Sequence, residues 1–217
     1  MTKRLLHNAQ VIDPEAGTIT RADIRIENGL ITQVSQSPLS ANPNEHSVDC
    51  HNKYLTPGII DIGVKVCEPG ERHKESFKSA GLAAAAGGIT TMVTRPDTTP
   101  AIDSPETLEF IARRANQATP VNVIPMAALT KGRNGREMSE IGFLMDAGAI
   151  AFTDCDHVVS NPKVFARALS YACALGALVI AHPQEPTLSK GAAATSGKFA
   201  SLRGLPAVSA MAERMGL

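Results

Sequence analysis

Tryptophan is absent, and aromatic residues make up only 4% of the 217-residue chain. A core built from this sequence is therefore aliphatic, drawn from Ala, Val, Ile, Leu and Met. Net charge is missing too, because 21 Lys and Arg offset 21 Asp and Glu. No electrostatic footprint marks a nucleic-acid or anionic-membrane partner. No apolar run approaches the roughly 18 residues of a membrane span. The start, MTKRLLHNAQVID, has a basic pair but no apolar segment behind it, unlike a secretory leader. The four cysteines (Cys50, Cys67, Cys155 and Cys173) are scattered, with no C-x-x-C pair. That usage reads as reduced thiols in a cytoplasmic protein. No strand-like run leads into Gly-x-Gly-x-x-Gly or a P-loop, so nucleotide binding has no support.

What is present is the balance of a globular protein, 43% hydrophobic and 19% charged. Residues 1–54 read as a small antiparallel β unit. Within it, ADIRIENGLITQVSQ alternates apolar and polar residues around Asn28-Gly29, a type I′ hairpin signal. From Ile59 the pattern changes to strand, then helix, repeatedly. Strand-like runs are IIDIGVKV, ITTMVTR, VNVIPMAAL, AIAFTD and ALVIAH. Helical runs lie between them, with Ser104-Pro105 and Asn161-Pro162 as start signals and Gly176 as a stop. LPAVSAMAERMG reads as a last helix. Near-continuous apolar strands separated by amphipathic helices predict a parallel sheet covered by helices. The expected fold is α/β: about five β/α units of an incomplete (β/α) barrel over residues 55–217, since a closed barrel takes about 250 residues.

Several motifs carry a resemblance. LTPGIIDIGVKVCEPG, AAAAGGITT, IPMAALTKG, MDAGAIAFTD, ALSYACALGALVIAH and ASLRGLPAVSAMAE resemble the dihydroorotases of the amidohydrolase superfamily. The match covers nearly the whole chain, with P-G-x-x-D, E-P-G, A-A-A-G-G-x-T-T and G-L-P in order. The resemblance implies an amidohydrolase-type barrel with a small β-sandwich, part of which is the N-terminal unit. It implies zinc-dependent opening or closing of the dihydroorotate ring. Such attack on an amide carbonyl needs a metal-activated hydroxide. Two imidazoles spaced as His-x-His on one strand face can hold the metal together.

At the positions this resemblance marks, the donors are gone. The His-x-His falls on Gly63 and Lys65. Glycine offers no ligand atom, and a lysine ammonium repels zinc. Cys67 stands where the family has a substrate arginine, and Asp97 where it has an asparagine. These exchanges disfavour a dianionic substrate. Asp154 and His182 keep family metal-ligand positions, although their neighbours Cys155 and Pro183 depart from the pattern. The remaining metal histidine and the general-base aspartate match nothing in this sequence.

Three readings of the altered site follow. Lys65 pairs with Asp154 or Asp97 in the vacated metal volume. Alternatively Cys67, Asp154, Cys155 and His182 form a new metal site, or Cys67 acts as a nucleophile with His182 as base. The first is favoured, so no metal and no catalytic residue are expected. The resemblance to inactive homologues then implies a non-catalytic, oligomeric, cytoplasmic partner of the aspartate carbamoyltransferase catalytic subunit in pyrimidine synthesis. The alternative is a zinc-dependent dihydroorotase or related cyclic amidohydrolase with an altered site. Half a barrel leaves open sheet edges, and the sequence is compatible with a truncated copy or with completion by another polypeptide.

Overall fold

The computed structural model describes residues 3–215. The chain divides into two compact units, the first ending at Gly58 and the second starting at Ile59. The first is one five-stranded sheet: β1 (Lys3–Asp13), β2 (Thr18–Glu27), β3 (Leu30–Ser35), β4 (His46–Asp49) and β5 (Tyr54–Leu55). β1, β2 and β3 form an antiparallel meander. Its second turn is the Asn28-Gly29 hairpin, with φ of 53° and 81° and Glu27 opposite Leu30. β4 and β5 run parallel to β1, so the unit is mixed and not purely antiparallel. The sequence shows where strands lie but not their direction, which the crossover through residues 36–45 sets.

The second unit supplies five parallel strands in chain order. β6 (Ile59–Val64), β7 (Ile89–Thr94) and β8 (Asn122–Pro125) pair directly. A bridge from Ala127 to Phe152 continues the order to β9 (Ala151–Phe152), which pairs with β10 (Leu178–Val179). The connections are α1 (Phe77–Ala86), α2 (Pro105–Ala118), α3 (Ile141–Asp146) and α4 (Pro162–Leu175). Each starts where its local chemistry dictates. Ser76 and Ser79 close a capping box on α1. Ser104 and Asn161 cap α2 and α4 ahead of Pro105 and Pro162, and Gly176 ends α4 in the left-handed region at φ 70°. Only α3 is much shorter than its sequence pattern, since Arg136–Glu140 form a turn and a bridge instead.

These helices and one sheet face enclose the main core, which includes Phe77, Met92, Leu108, Ile111, Ile141, Leu144 and Phe152. Small residues allow close approach at one point in particular. A Cβ at Gly81 would stand 2.7 Å from the Thr119 side chain, whereas Gly88 faces open space. Close packing therefore belongs to Gly81, and Gly87-Gly88 serve to end α1. The chain then runs through α5 (Pro186–Ser189), β11 (Ala194–Thr195), α6 (Lys198–Arg203), β12 (Ala207–Val208) and α7 (Ala210–Met215). The expected last helix is thus divided. Ala207 and Val208 pair with Ala194 and Thr195 as a parallel ladder, and the helix begins only at Ala210. Among the described residues no helix is long and apolar enough to cross a membrane.

Glu68 ties the loop after β6 to two helices. One carboxylate oxygen accepts from the Phe77 N–H at 2.9 Å, and the other from Arg114 Nε at 2.9 Å. Burial raises its pKa, but these two partners outweigh burial and hold the carboxyl below its usual range. A depressed folded pKa contributes stability above the unfolded value of about 4.3, lost as pH falls through the folded value. Glu68→Ala, which strands the Phe77 N–H, is expected to cost about 2 kcal/mol at neutral pH. Denaturant melts of wild type and Glu68→Gln should converge as pH falls below about 4.

Candidate functional site

Side chains from the C-terminal ends of β6 to β10 meet around a cavity of 230 Å³, lined by Gly63, Arg95, Thr153, Cys155, Asp156 and His182 among others. A smaller recess of 40 Å³ beside it is lined by Asp154, Cys155 and His182. Of the positions singled out in the sequence, Gly63, Asp154, Cys155 and His182 reach these cavities. Lys65 and Asp97 form a buried-to-exposed pair next to them, and Cys67 lines neither.

The electrostatic centre is the Asp97 carboxylate, whose side chain is 4% exposed. Its Oδ2 faces Arg95 at 3.0 Å and Lys65 Nζ at 3.2 Å. Arg95 also donates to Asp156 Oδ2 at 2.8 Å. A Lys65–Asp97–Arg95–Asp156 chain of charges therefore joins the ends of β6, β7 and β9. Burial of the Arg95 guanidinium would lower its pKa, but the Asp156 hydrogen bond and the nearby negative charges outweigh it and raise the value. The same bond from Arg95 holds Asp156 below the usual carboxylate range. Cys155, in the left-handed region at φ 57°, has its thiol pushed up by burial and then by the Asp97 charge. It is therefore a poor nucleophile at neutral pH.

The alternative pairing of Lys65 with Asp154 does not form. Asp154 is buried and spends both oxygens on Thr130, accepting from its N–H at 3.0 Å and from its hydroxyl. His182 bonds Gln184 Oε1 through Nε2 at 2.8 Å. Asp154 is thus held by Thr130, whereas the Gln184 bond occupies only one of the two His182 ring nitrogens. Arg95, Asp156 and Thr130 were missed in the sequence as site residues. Arg95 and Asp97 lie two apart at the end of β7, and that spacing was the available signal.

Zinc, which the sequence resemblance implies, does not fit these residues. Gly63 lacks a donor, Lys65 is an ion-paired cation, and Asp154 is engaged by Thr130. Among the described residues no three His, Cys, Asp or Glu side chains are grouped to hold a metal, so the four-residue site of Cys67, Asp154, Cys155 and His182 is not assembled. Asp97 Oδ1 and Arg95 Nε are buried with no partner among the described residues, so the charge chain carries polar atoms beyond those it satisfies.

The family model described as "Dihydro-orotase-like" matches residues 52–214. The chain is similar to the dihydroorotase of Syntrophus aciditrophicus (strain SB), with 35% identity over 97% of this chain and 50% of that protein. It is also similar to a "Dihydroorotase-like protein" of Pseudomonas putida, with 34% identity over 96% of this chain and 49% of that protein. The chain spans about half the length of the curated relatives it matches. Among solved structures, the L-hydantoinase (dihydropyrimidinase) from Arthrobacter aurescens matches with a TM-score of 0.74 and 21% identity. That match covers 87% of this chain and 42% of the hydantoinase, and it supports the α/β fold alone.

Removing the central carboxylate by Asp97→Ala leaves Arg95 without one of its two partners and is expected to destabilise the protein by about 1–3 kcal/mol. Lys65→Met, at a side chain 53% exposed, should change stability by less than about 1 kcal/mol. Chemical denaturation of both variants checks the contrast. Alkylation followed by mass spectrometry at pH 8 should modify exposed Cys173 well before Cys155.

Proposed function

The chain belongs to the dihydroorotase-like family, and on that premise we propose that it is a non-catalytic member, a structural or regulatory partner of the aspartate carbamoyltransferase catalytic subunit in the cytoplasm. Its five parallel strands form part of an amidohydrolase-type (β/α) barrel in this reading. One observation supports the loss of catalysis: Lys65, at a position where the resemblance implies a metal-binding histidine, is an ammonium paired with Asp97, which Arg95 also meets. The site's cations are internal, and its carboxylates are already neutralised by them or held by Thr130. An oligomeric, partner-bound role agrees with a chain of no net charge and with a relative named dihydroorotase-like protein.

Restoring ligands should not by itself restore the metal. Gly63 has room for a side chain, but its φ of 93° lies in the region that favours glycine, and a non-glycine residue there costs about 1–3 kcal/mol. The expected outcome for Gly63→His with Lys65→His is no stoichiometric zinc by elemental analysis, because Asp154 stays on Thr130. The purified protein is expected to lack stoichiometric zinc and dihydroorotase activity, and to co-elute with the transferase catalytic subunit. Zinc at one equivalent or more together with turnover would establish the enzyme alternative. Failure to associate with the transferase would remove the partner role.

A further inference from the structure

The segments that follow β8, β9 and β10 enclose an open cavity of 560 Å³, whose walls include Arg133, Asn134, Asp156, His157, Gln184 and Lys190. It shares only Asp156 with the 230 Å³ cavity. Arg133 is fixed at three points. Its backbone has φ of 56°, a left-handed conformation that residues with a side chain rarely adopt. Its carbonyl accepts from His157 Nδ1 at 2.9 Å, and its Nε donates to the Asp154 carbonyl at 3.3 Å. The two terminal nitrogens of that guanidinium have no carboxylate partner among the described residues, and neither has the exposed Lys190 ammonium. Asp156 is the one carboxylate in the wall, and Arg95 already pairs with it. The wall's amides add donors. Asn134 Oδ1 accepts from the Arg136 N–H at 2.9 Å, and Gln184 Oε1 meets His182 Nε2 at 2.8 Å. Each amide therefore keeps its NH2 group to donate.

Two cations without carboxylates and two amide donors on one wall suit an anion of more than one charge. A phosphate monoester carries about −1.5 to −2 charge at neutral pH and three strong acceptor oxygens. A guanidinium fork takes two of those oxygens at once, and a fork already fixed in place loses less freedom on binding. The cavity is within the range of about 300–1,000 Å³ usual for small-molecule sites, which leaves room for the organic part of an ester. We propose that it binds a small phosphorylated metabolite, with Arg133 and Lys190 on the phosphate and Asn134 and Gln184 donating to it. A carboxylate is the competing ligand, but a single carboxylate brings one charge to two cations. The inference uses neither the loss of catalysis nor the transferase, so it and the proposed function fail independently.

Isothermal titration of the 217-residue chain with inorganic phosphate and with glycerol phosphate, at fixed ionic strength and neutral pH, tests it. Saturable one-to-one binding is expected, tighter for the ester than for succinate. Lys190→Glu sets a like charge against the phosphate and should weaken binding by at least about tenfold. Its side chain is exposed, so the melting temperature should stay unchanged. Arg133→Lys keeps the charge but not the fork and should weaken binding by at least about threefold. Lys78→Gln, at an exposed position on α1, should leave binding unchanged. Any of three results overturns the proposal. The first is no saturable binding of either phosphate below about 10 mM. The second is succinate binding as tightly as the ester. The third is an affinity that Lys190→Glu leaves intact or that Lys78→Gln lowers as much, which would mark diffuse surface charge.

Discussion

A carboxylate taken out of water has to be met by a cation, and at Asp97 that requirement organises the whole strand-end region. Burying an unpaired charge costs several kcal/mol. Arg95 answers Asp97 from two residues away just after β7, and Lys65 answers it from just after β6. Arg95 then reaches Asp156 after β9. Three strand ends are thus coupled through one guanidinium. Both carboxylates lie against the same guanidinium nitrogen, Arg95 Nη2. The two cations and two carboxylates balance in charge, although Asp97 Oδ1 and Arg95 Nε are left without hydrogen-bond partners among the described residues.

The same logic separates Asp154 from the reaction its position suggests. An aspartate that accepts two bonds from one threonine is a local structural tie between the loop after β8 and the end of β9. His182 is similarly taken up with Gln184 two residues along. Chemistry depends on which partners the side chains have, and here those partners come from within the protein.

Most of the fold was legible because it rests on local signals. The Asn28-Gly29 hairpin, the Ser104 and Asn161 caps and the Gly176 stop each follow from the conformations their residues favour. The five strand positions followed from apolar runs that only a sheet buried on both sides requires. Strand direction in the first unit was not legible, since β4 and β5 reach β1 through crossovers with no sequence mark of their own. Ala207-Val208 carried a helical pattern but pairs with Ala194-Thr195, a case of tertiary pairing overriding propensity. In the site, the sequence shows that Gly63 offers no side-chain donor and that Lys65 offers an ammonium. The choice of Asp97 over Asp154 as the partner of Lys65 was not, because it turns on Thr130, about two dozen residues from Asp154 in the chain.

The strand-end site holds its charges in internal pairs, with Lys65 and Arg95 on Asp97 and Arg95 on Asp156. That account depends on Arg95 being the cation that meets the buried Asp97 carboxylate most closely. A double-mutant cycle between Arg95→Met and Asp97→Asn measures it most directly. A coupling free energy of about 1–3 kcal/mol in denaturant melts is expected if the pair neutralises the buried carboxylate. Strictly additive effects would contradict it, since Lys65 alone would then be enough to meet the Asp97 charge.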